Sequence, residues 1–546
     1  MLSARLAWPR ARSSRTRAQR WSCVVAVAAL AMGGRLAVAQ PRADVVITGG
    51  KIVTVDAAFS IAQALAIDDG RILAVGTNDD MRPYVGGATE IIDLGGATVI
   101  PGLIDNHFHF ARAVQRWHLQ VRLDGVDSRR EALRLLAEKA AASPDGQWLM
   151  VQGGWSPQQF ADQPGGFTLE ELDSAAPRNP LFVQQGYSIV YANSLALNAV
   201  GLDPTDGARR DAAGLATFQP PYGAFIERIP QTTAEQFGRN LTDFMRTLNG
   251  VGLTGVYSLG RGPEGESERI EARALREDLP LRVWETLTFE ATDPAAADAA
   301  VALIERSRPN TFRDDFGRFG LGEHVYLPFF DFPSQNGPWP TPVIDEYLKL
   351  ATAAARGGWH IHEHTMSNHS VTDLLERFEQ LNAAHPITDL RWTLAHVYDI
   401  SPANIARAKA LGMTLAVHGV AMHGAVKMPL RAIQDSGIVW GLGTDATIVS
   451  HYQPFVTLGW VVSGLDLAGR RVLDETVTRE EALIAHTRAN AYLFSQENAL
   501  GSLEAGKHAD LVVLDRDYLT VPAADIRKIR PTLTMVGGRV VFRAAR

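Results

Sequence analysis

The sequence predicts an α/β chain whose body is a closed parallel β/α barrel, with a small accessory sheet built from its two ends. Three observations carry this. Apolar strand-like runs alternate with Ala- and Leu-rich helical stretches through the middle of the chain. Those runs are apolar on both faces, the pattern of strands covered on each side. Alternating hairpin-like segments lie at both ends of this β/α body and nowhere inside it.

Residues 44–58 (ADVVITGGKIVTVDA) alternate apolar and polar side chains around Gly49-Gly50 and read as a hairpin. Short strands follow over 61–75 and 89–100, ending in GGATVIPG. The β/α rhythm is clearest further on: RWTLAHV, then SPANIARAKALG, then MTLAVHG, then IVWGLGTDA. Ser401-Pro402 is a good helix start and Gly412 a good stop. Between about 111 and 250 the rhythm breaks into Gly- and Pro-containing loops, read as insertions over the barrel mouth. The last 46 residues return to hairpin character in GSLEAGKHADLVVLD and MVGGRVVF, so the two ends are expected to pair. The resulting division is 1–39, 40–100, 101–490 and 491–546.

The first of these segments reads as a leader. Residues 1–20 carry six arginines (Arg5, Arg10, Arg12, Arg15, Arg17, Arg20) and no acid; an apolar run over 23–32 and the small-residue pattern Ala37-Val38-Ala39 follow. This is the layout of a secretory signal, too short to span a membrane, and it places the mature protein in the periplasm or outside the cell. Cleavage after Ala39 removes Cys23, the single cysteine. That excludes a disulfide framework and a cysteine nucleophile. With 53 Lys and Arg against 60 Asp and Glu, the net charge of −7 argues against nucleic acid as a partner. A metal must then use nitrogen and oxygen ligands, and 15 histidines supply the nitrogen.

His107 and His109 close the apolar strand ATVIPGLID. Side chains two apart on a strand share a face, so both are expected to point into the barrel at its C-terminal end, where barrel enzymes keep their chemistry. His364 ends GGWHIHEH, His396 ends RWTLAH, and Asp445 ends VWGLGTD. Neutral imidazole is a good ligand for zinc and similar ions, and a carboxylate beside a bound water can take the proton that the metal makes acidic. His362 shares the face of His364 and reads as a core residue or substrate contact, as does His360. His418, after MTLAV, reads as a possible substrate contact. His486 and His508 read as structural.

These segments resemble the amidohydrolase superfamily over nearly all of the mature chain. ATVIPGLIDNHFH is similar to its first-strand metal motif, and GSLEAGKHADLVVLD to its C-terminal sheet segment. GGWSPQQF, YANSLALNAVGL and GGWHIHEHTMSNHSV look like the branch that contains N-substituted formamide deformylase and YtcJ-like proteins. The resemblance implies a (β/α)8 TIM-type barrel with a composite β-sandwich, one or two divalent ions, expected to be zinc, and hydrolysis of an amide-type C–N bond in a small molecule. It assigns ligand roles to His107, His109, His364 and His396, and the acid/base role, linked to the metal, to Asp445. On strand 4, where the branch carries a bridging lysine or acid, this chain reads Gly322-Glu323-His324, and Glu323 is the expected bridge. Trp155 in GGWSPQQF and Tyr187, where the branch usually has histidine, are the expected substrate contacts, with His362 and His418. Cyclic amides, esters, lactones and phosphoesters remain open as substrates on the same barrel, as does a binding protein without turnover. Pairing into a homodimer is a further expectation.

Overall fold

A computed structural model describes residues 42–187, 189–203, 223–260, 265–309, 315–335, 337–423 and 428–545. The leader reading falls on residues outside this set.

Eight parallel strands follow one another around a barrel in chain order: β1 Leu103–Phe108, β2 Leu253–Ser258, β3 Arg282–Thr286, β4 Phe316–Glu323, β5 His360–Thr365, β6 Thr393–His396, β7 Thr414–His418 and β8 Trp440–Gly443. Every residue of β1, β2, β3 and β5 through β8 is buried, as expected of strands with helices outside and packed side chains within. The ring closes where β8 runs out beside β1. There the Asp445 amide donates to the His107 carbonyl at 2.9 Å, and Phe108 bridges Ala446 in parallel.

Side chains stitch this seam. Asp105 accepts from the Thr444 hydroxyl at 2.7 Å, the Thr444 amide at 3.0 Å and the His107 amide at 3.1 Å. The Asn490 side-chain amide donates to the carbonyls of Ile104 and Leu442, one on each strand. Gly443 leaves room for this packing, since a Cβ there would lie 2.3 Å from Asn106 Oδ1.

His486, read from the sequence as structural, is fully buried, and its Nδ1 donates to the Ile104 carbonyl at 2.9 Å. Burial pushes its pKa down from 6.5 to about 4. The unfolded chain therefore binds a proton between pH 6.5 and 4 that the folded chain refuses, so stability is lost as pH falls through that window. The shift corresponds to a loss on the order of 3 kcal/mol at its acid end. H486N, which can keep a donor to Ile104, is expected to lose less thermal midpoint between pH 7.5 and 5 than the unaltered protein does. Equal losses in the two proteins would show that His486 does not carry this acid sensitivity.

The ends of the chain form two sheets packed as a sandwich. In the six-stranded sheet, Thr98–Pro101 pairs antiparallel with Leu511–Leu514, so N- and C-terminal segments share it. Val45, Ile47, Leu65, Val99, Leu511 and Met535 meet in the core between the sheets. Pro531–Val536 and Arg539–Arg543 form a hairpin on Gly537-Gly538, both at positive φ as such a turn requires. The expected hairpin at 44–58 does not form. Val45–Thr48 pairs with Ala64–Asp68 and Glu90–Asp93 in the four-stranded sheet, whereas Lys51–Val53 lies in the six-stranded one. Gly49-Gly50 is the corner between the sheets, tight enough that a Cβ on Gly50 would lie 2.4 Å from Leu94 Cδ1.

The insertion region also needs correction. It holds its own three-stranded sheet, ordered Ile189–Ala192, Leu181–Gln185, Leu149–Gln152, backed by the helix Arg129–Ala141. Its final part, Ala234–Gly250, is instead a helix of the barrel wall. Thr233 caps it, and Phe237, Leu241, Phe244 and Leu248 are buried against the barrel.

Candidate metal centre

The C-terminal ends of the strands bring all six expected metal-site residues together. Glu323, ending β4, is at the middle. Its Oε2 is 3.0 Å from His107 Nε2, 3.3 Å from His364 Nδ1 and 3.5 Å from His396 Nε2, and its Oε1 is 3.3 Å from His109 Nε2. Asp445, just past β8, places Oδ1 3.1 Å from His109 Nε2 and 3.7 Å from His107 Nε2, and Oδ2 3.9 Å from His396 Nδ1. The sequence reading missed His324, whose Nε2 is 3.5 Å from Glu323 Oε1. Neighbours on a strand normally face opposite ways, but β4 ends at Glu323 and frees His324 to turn toward the same centre.

Surrounding groups set which ring nitrogen faces inward. His109 Nδ1 contacts the Leu259 carbonyl at 3.0 Å, and His364 Nε2 contacts the Asp331 carbonyl at 3.2 Å. A carbonyl only accepts, so the proton sits on the outward nitrogen and the inward one keeps its lone pair. Asp331 is itself fixed by the amides of Met366 and Ser367 at 2.9 and 2.8 Å.

These residues fit a divalent cation. Ligand atoms of His107, His109 and Glu323, of His107, His396 and Asp445, and of Glu323, His324 and His364 each lie within 4.8 Å of one another. Among the described residues, the Nε2 atoms of His107 and His396 are buried and make no well-aligned hydrogen bond, although carboxylate oxygens are close by. An imidazole nitrogen facing a carboxylate oxygen at such distances needs a positive charge between them, which a proton or a bound cation supplies. Burial would raise Glu323 and Asp445, but the surrounding imidazoles overcome it and hold both below the usual carboxylate range. Burial opposes charge on His107 and His364 too, yet Glu323 raises both. His396 and His324, where burial prevails, are pushed down to about 4 and about 3.

Of the four expected substrate contacts, one lines the cavity above this centre. Tyr187 does so, beside Arg112. His362 and His418 are instead fully buried behind the centre. His362 Nε2 is 3.0 Å from His107 Nδ1, and His418 Nδ1 is 3.0 Å from His396 Nδ1. They orient the ligand rings rather than meet a substrate, because the period-two face that places His364 at the rim places His362 one layer deeper. Trp155 is a core residue of the insertion, packed among Phe160, Phe167 and Tyr191, with Nε1 donating to the Gln184 carbonyl at 2.9 Å. An indole with its one donor satisfied inside a core has nothing to offer a ligand.

The cavity has a volume of about 440 Å³. Glu323, His109, His364 and Asp445 line one part of it, and Leu287, Phe289, Leu327, Phe330 and Phe332 give it an apolar wall.

The chain belongs to the amidohydrolase family, hydrolases acting on carbon–nitrogen bonds, whose model matches residues 90–542. It is 26% identical to N-substituted formamide deformylase of Arthrobacter pascens, an alignment covering 91% of this chain and 97% of that one. It is 25% identical to the putative amidohydrolase YtcJ of Bacillus subtilis (strain 168), over 90% of this chain and 98% of that one. Among solved structures, an uncharacterized metal-dependent hydrolase from Pyrococcus furiosus superposes with a TM-score of 0.58 at 21% identity, covering 87% of this chain and 100% of that one.

Proposed function

We propose that this chain hydrolyses the amide-type C–N bond of an N-acyl or N-formyl amine, with a divalent cation, zinc by the chemistry of its donors, held by His107, His109, Glu323, His364, His396 and Asp445. The observation that carries the reading is that Glu323, Asp445, His109 and His364 meet on the wall of a cavity of about 440 Å³, with the Nε2 atoms of His107 and His396 buried within 3.5 Å of Glu323. The relationship to N-substituted formamide deformylase supports an N-formyl substrate. When bound, a divalent cation supplies Lewis acidity to a carbonyl and makes water acidic enough to lose a proton near neutral pH.

The chain's own residues supply the rest. Asp445 is ionised and lines the cavity, so its carboxylate accepts the proton of the attacking water and later returns it to the leaving amine nitrogen. The apolar wall around Phe289 and Phe330 binds the organic part of the substrate and excludes bulk water. The arginine-rich leader over 1–39 supports a periplasmic or extracellular setting.

The test is a panel of N-formyl and N-acetyl amines, matched with esters and lactones of the same carbon skeleton, offered to zinc-loaded protein. Release of free amine, abolished by a chelator and restored by added zinc, is the expected result. Release of alcohol without amine would overturn the amide assignment.

A further inference from the structure

We infer that Arg122, in the insertion, is a positioning residue for the acid/base: with Asp124 it clamps the loop that follows β8 and so fixes the Asp445 carboxylate against the centre. This rests on the amide-hydrolase reading of the same site and adds to it the part of the chain that holds Asp445 in place.

Asp445 has a φ of +63°, in the left-handed region, where a residue with a Cβ stays only if its surroundings hold it there. On one side β1 holds it. The Asp445 amide donates to the His107 carbonyl and the His109 amide to the Ala446 carbonyl, both at 2.9 Å. On the other side the insertion supplies three anchors. Arg122 Nη2 donates to the Thr447 carbonyl at 3.0 Å, the Gly154 amide to the Ile448 carbonyl at 3.0 Å, and the Tyr452 amide to Asp124 Oδ1 at 3.1 Å. Val449, between these anchors, lines the cavity with Asp445. A Cβ on Gly153 would lie 1.9 Å from the Ile448 carbonyl oxygen, so insertion and loop meet backbone to backbone.

The insertion sheet fixes the arginine in turn. Two residues before it, Gln120 bridges Met150 of the strand Leu149–Gln152. Arg122 Nε and Nη2 fork onto the two oxygens of Asp124 at 2.8 and 3.0 Å, and Nη1 donates to Gln120 Oε1 at 2.7 Å and to the Gln152 carbonyl at 3.2 Å. The planar guanidinium thus joins a buried carboxylate, the insertion sheet and the loop after β8 through one rigid group. A bidentate pair of this kind carries orientation as well as energy. A lysine, with one nitrogen, cannot reach Asp124, Gln152 and Thr447 in the same geometry.

Amide hydrogen exchange over 445–453, measured on the full zinc-loaded chain, tests the clamp without turnover. R122Q is expected to raise it about 10- to 100-fold, and R122K, which keeps the charge but not the fork, by less. Hydrolysis of the best substrate of the amide panel is read beside it. In R122Q kcat is expected to fall about 10- to 100-fold, the cost of misplacing a reacting group by about 1 Å, with KM and zinc content unchanged. Adding R122Q to D445N should change kcat by less than about threefold, because the group that Arg122 positions is already gone. If R122Q does not fold, R122K carries the same comparison. Unchanged exchange over 445–453, loss of zinc from the variant, or an equal fall in kcat with and without D445N overturns the inference. Faster exchange in the variant, with no amine released from any panel member by the unaltered protein, keeps the clamp and refutes the hydrolase reading.

Discussion

Exchange of Asp445 for Asn is expected to leave metal content unchanged and to lower kcat by about 10²- to 10⁴-fold, the range for losing a positioned acid/base. Asn occupies the same volume and still offers an oxygen to the ion, but it cannot hold a proton between the water and the leaving nitrogen. The position is well prepared for that exchange. Its carboxyl is buried, yet His109 at 3.1 Å and the neighbouring His107 and His396 keep it ionised. KM is expected to change little, because the lost step follows binding. Metal analysis with steady-state kinetics on D445N checks this, and a retained kcat would remove Asp445 from its role.

Alanine at both His107 and His109 is expected to abolish stoichiometric metal and, with it, measurable hydrolysis. His107 enters two of the three ligand groupings formed around Glu323 and Asp445, and His109 faces both carboxylates. Removing even an outer partner of a metal ligand typically costs about 10- to 100-fold in affinity, and loss of two direct ligands costs more. The barrel is expected to stay folded, because the seam between β1 and β8 is held by Asp105, Thr444 and Asn490, which the change does not touch. An unchanged circular dichroism spectrum beside an empty site is the predicted pair of results, read by metal analysis after dialysis. Full occupancy in the double variant would refute the ligand assignment.

Much of this centre is legible in the chain itself. His107, His109, His364, His396 and Asp445 each end an apolar run, and a parallel barrel collects the ends of its strands on one face. Glu323 was readable from the resemblance, but His324 was not, because strand alternation cannot show that β4 stops at residue 323. The apolar-polar pattern of 44–58 is the same whether two strands pair with each other or with different sheets, so the corner at Gly49-Gly50 was hidden. His362 and His418 share a face with true rim residues, and period two carries no information on depth. Trp155 sits in a Gly-rich loop that looks like a mouth segment, yet three aromatic rings bury it.

Anomalous diffraction at the zinc edge from crystals of zinc-loaded protein measures directly whether a cation lies between these imidazoles and carboxylates. An anomalous peak bounded by His107, His109 and at least one of Glu323 and Asp445 is the predicted result. A fully loaded crystal whose only anomalous peaks lie elsewhere, with His107 and His109 turned away from Glu323, would contradict it.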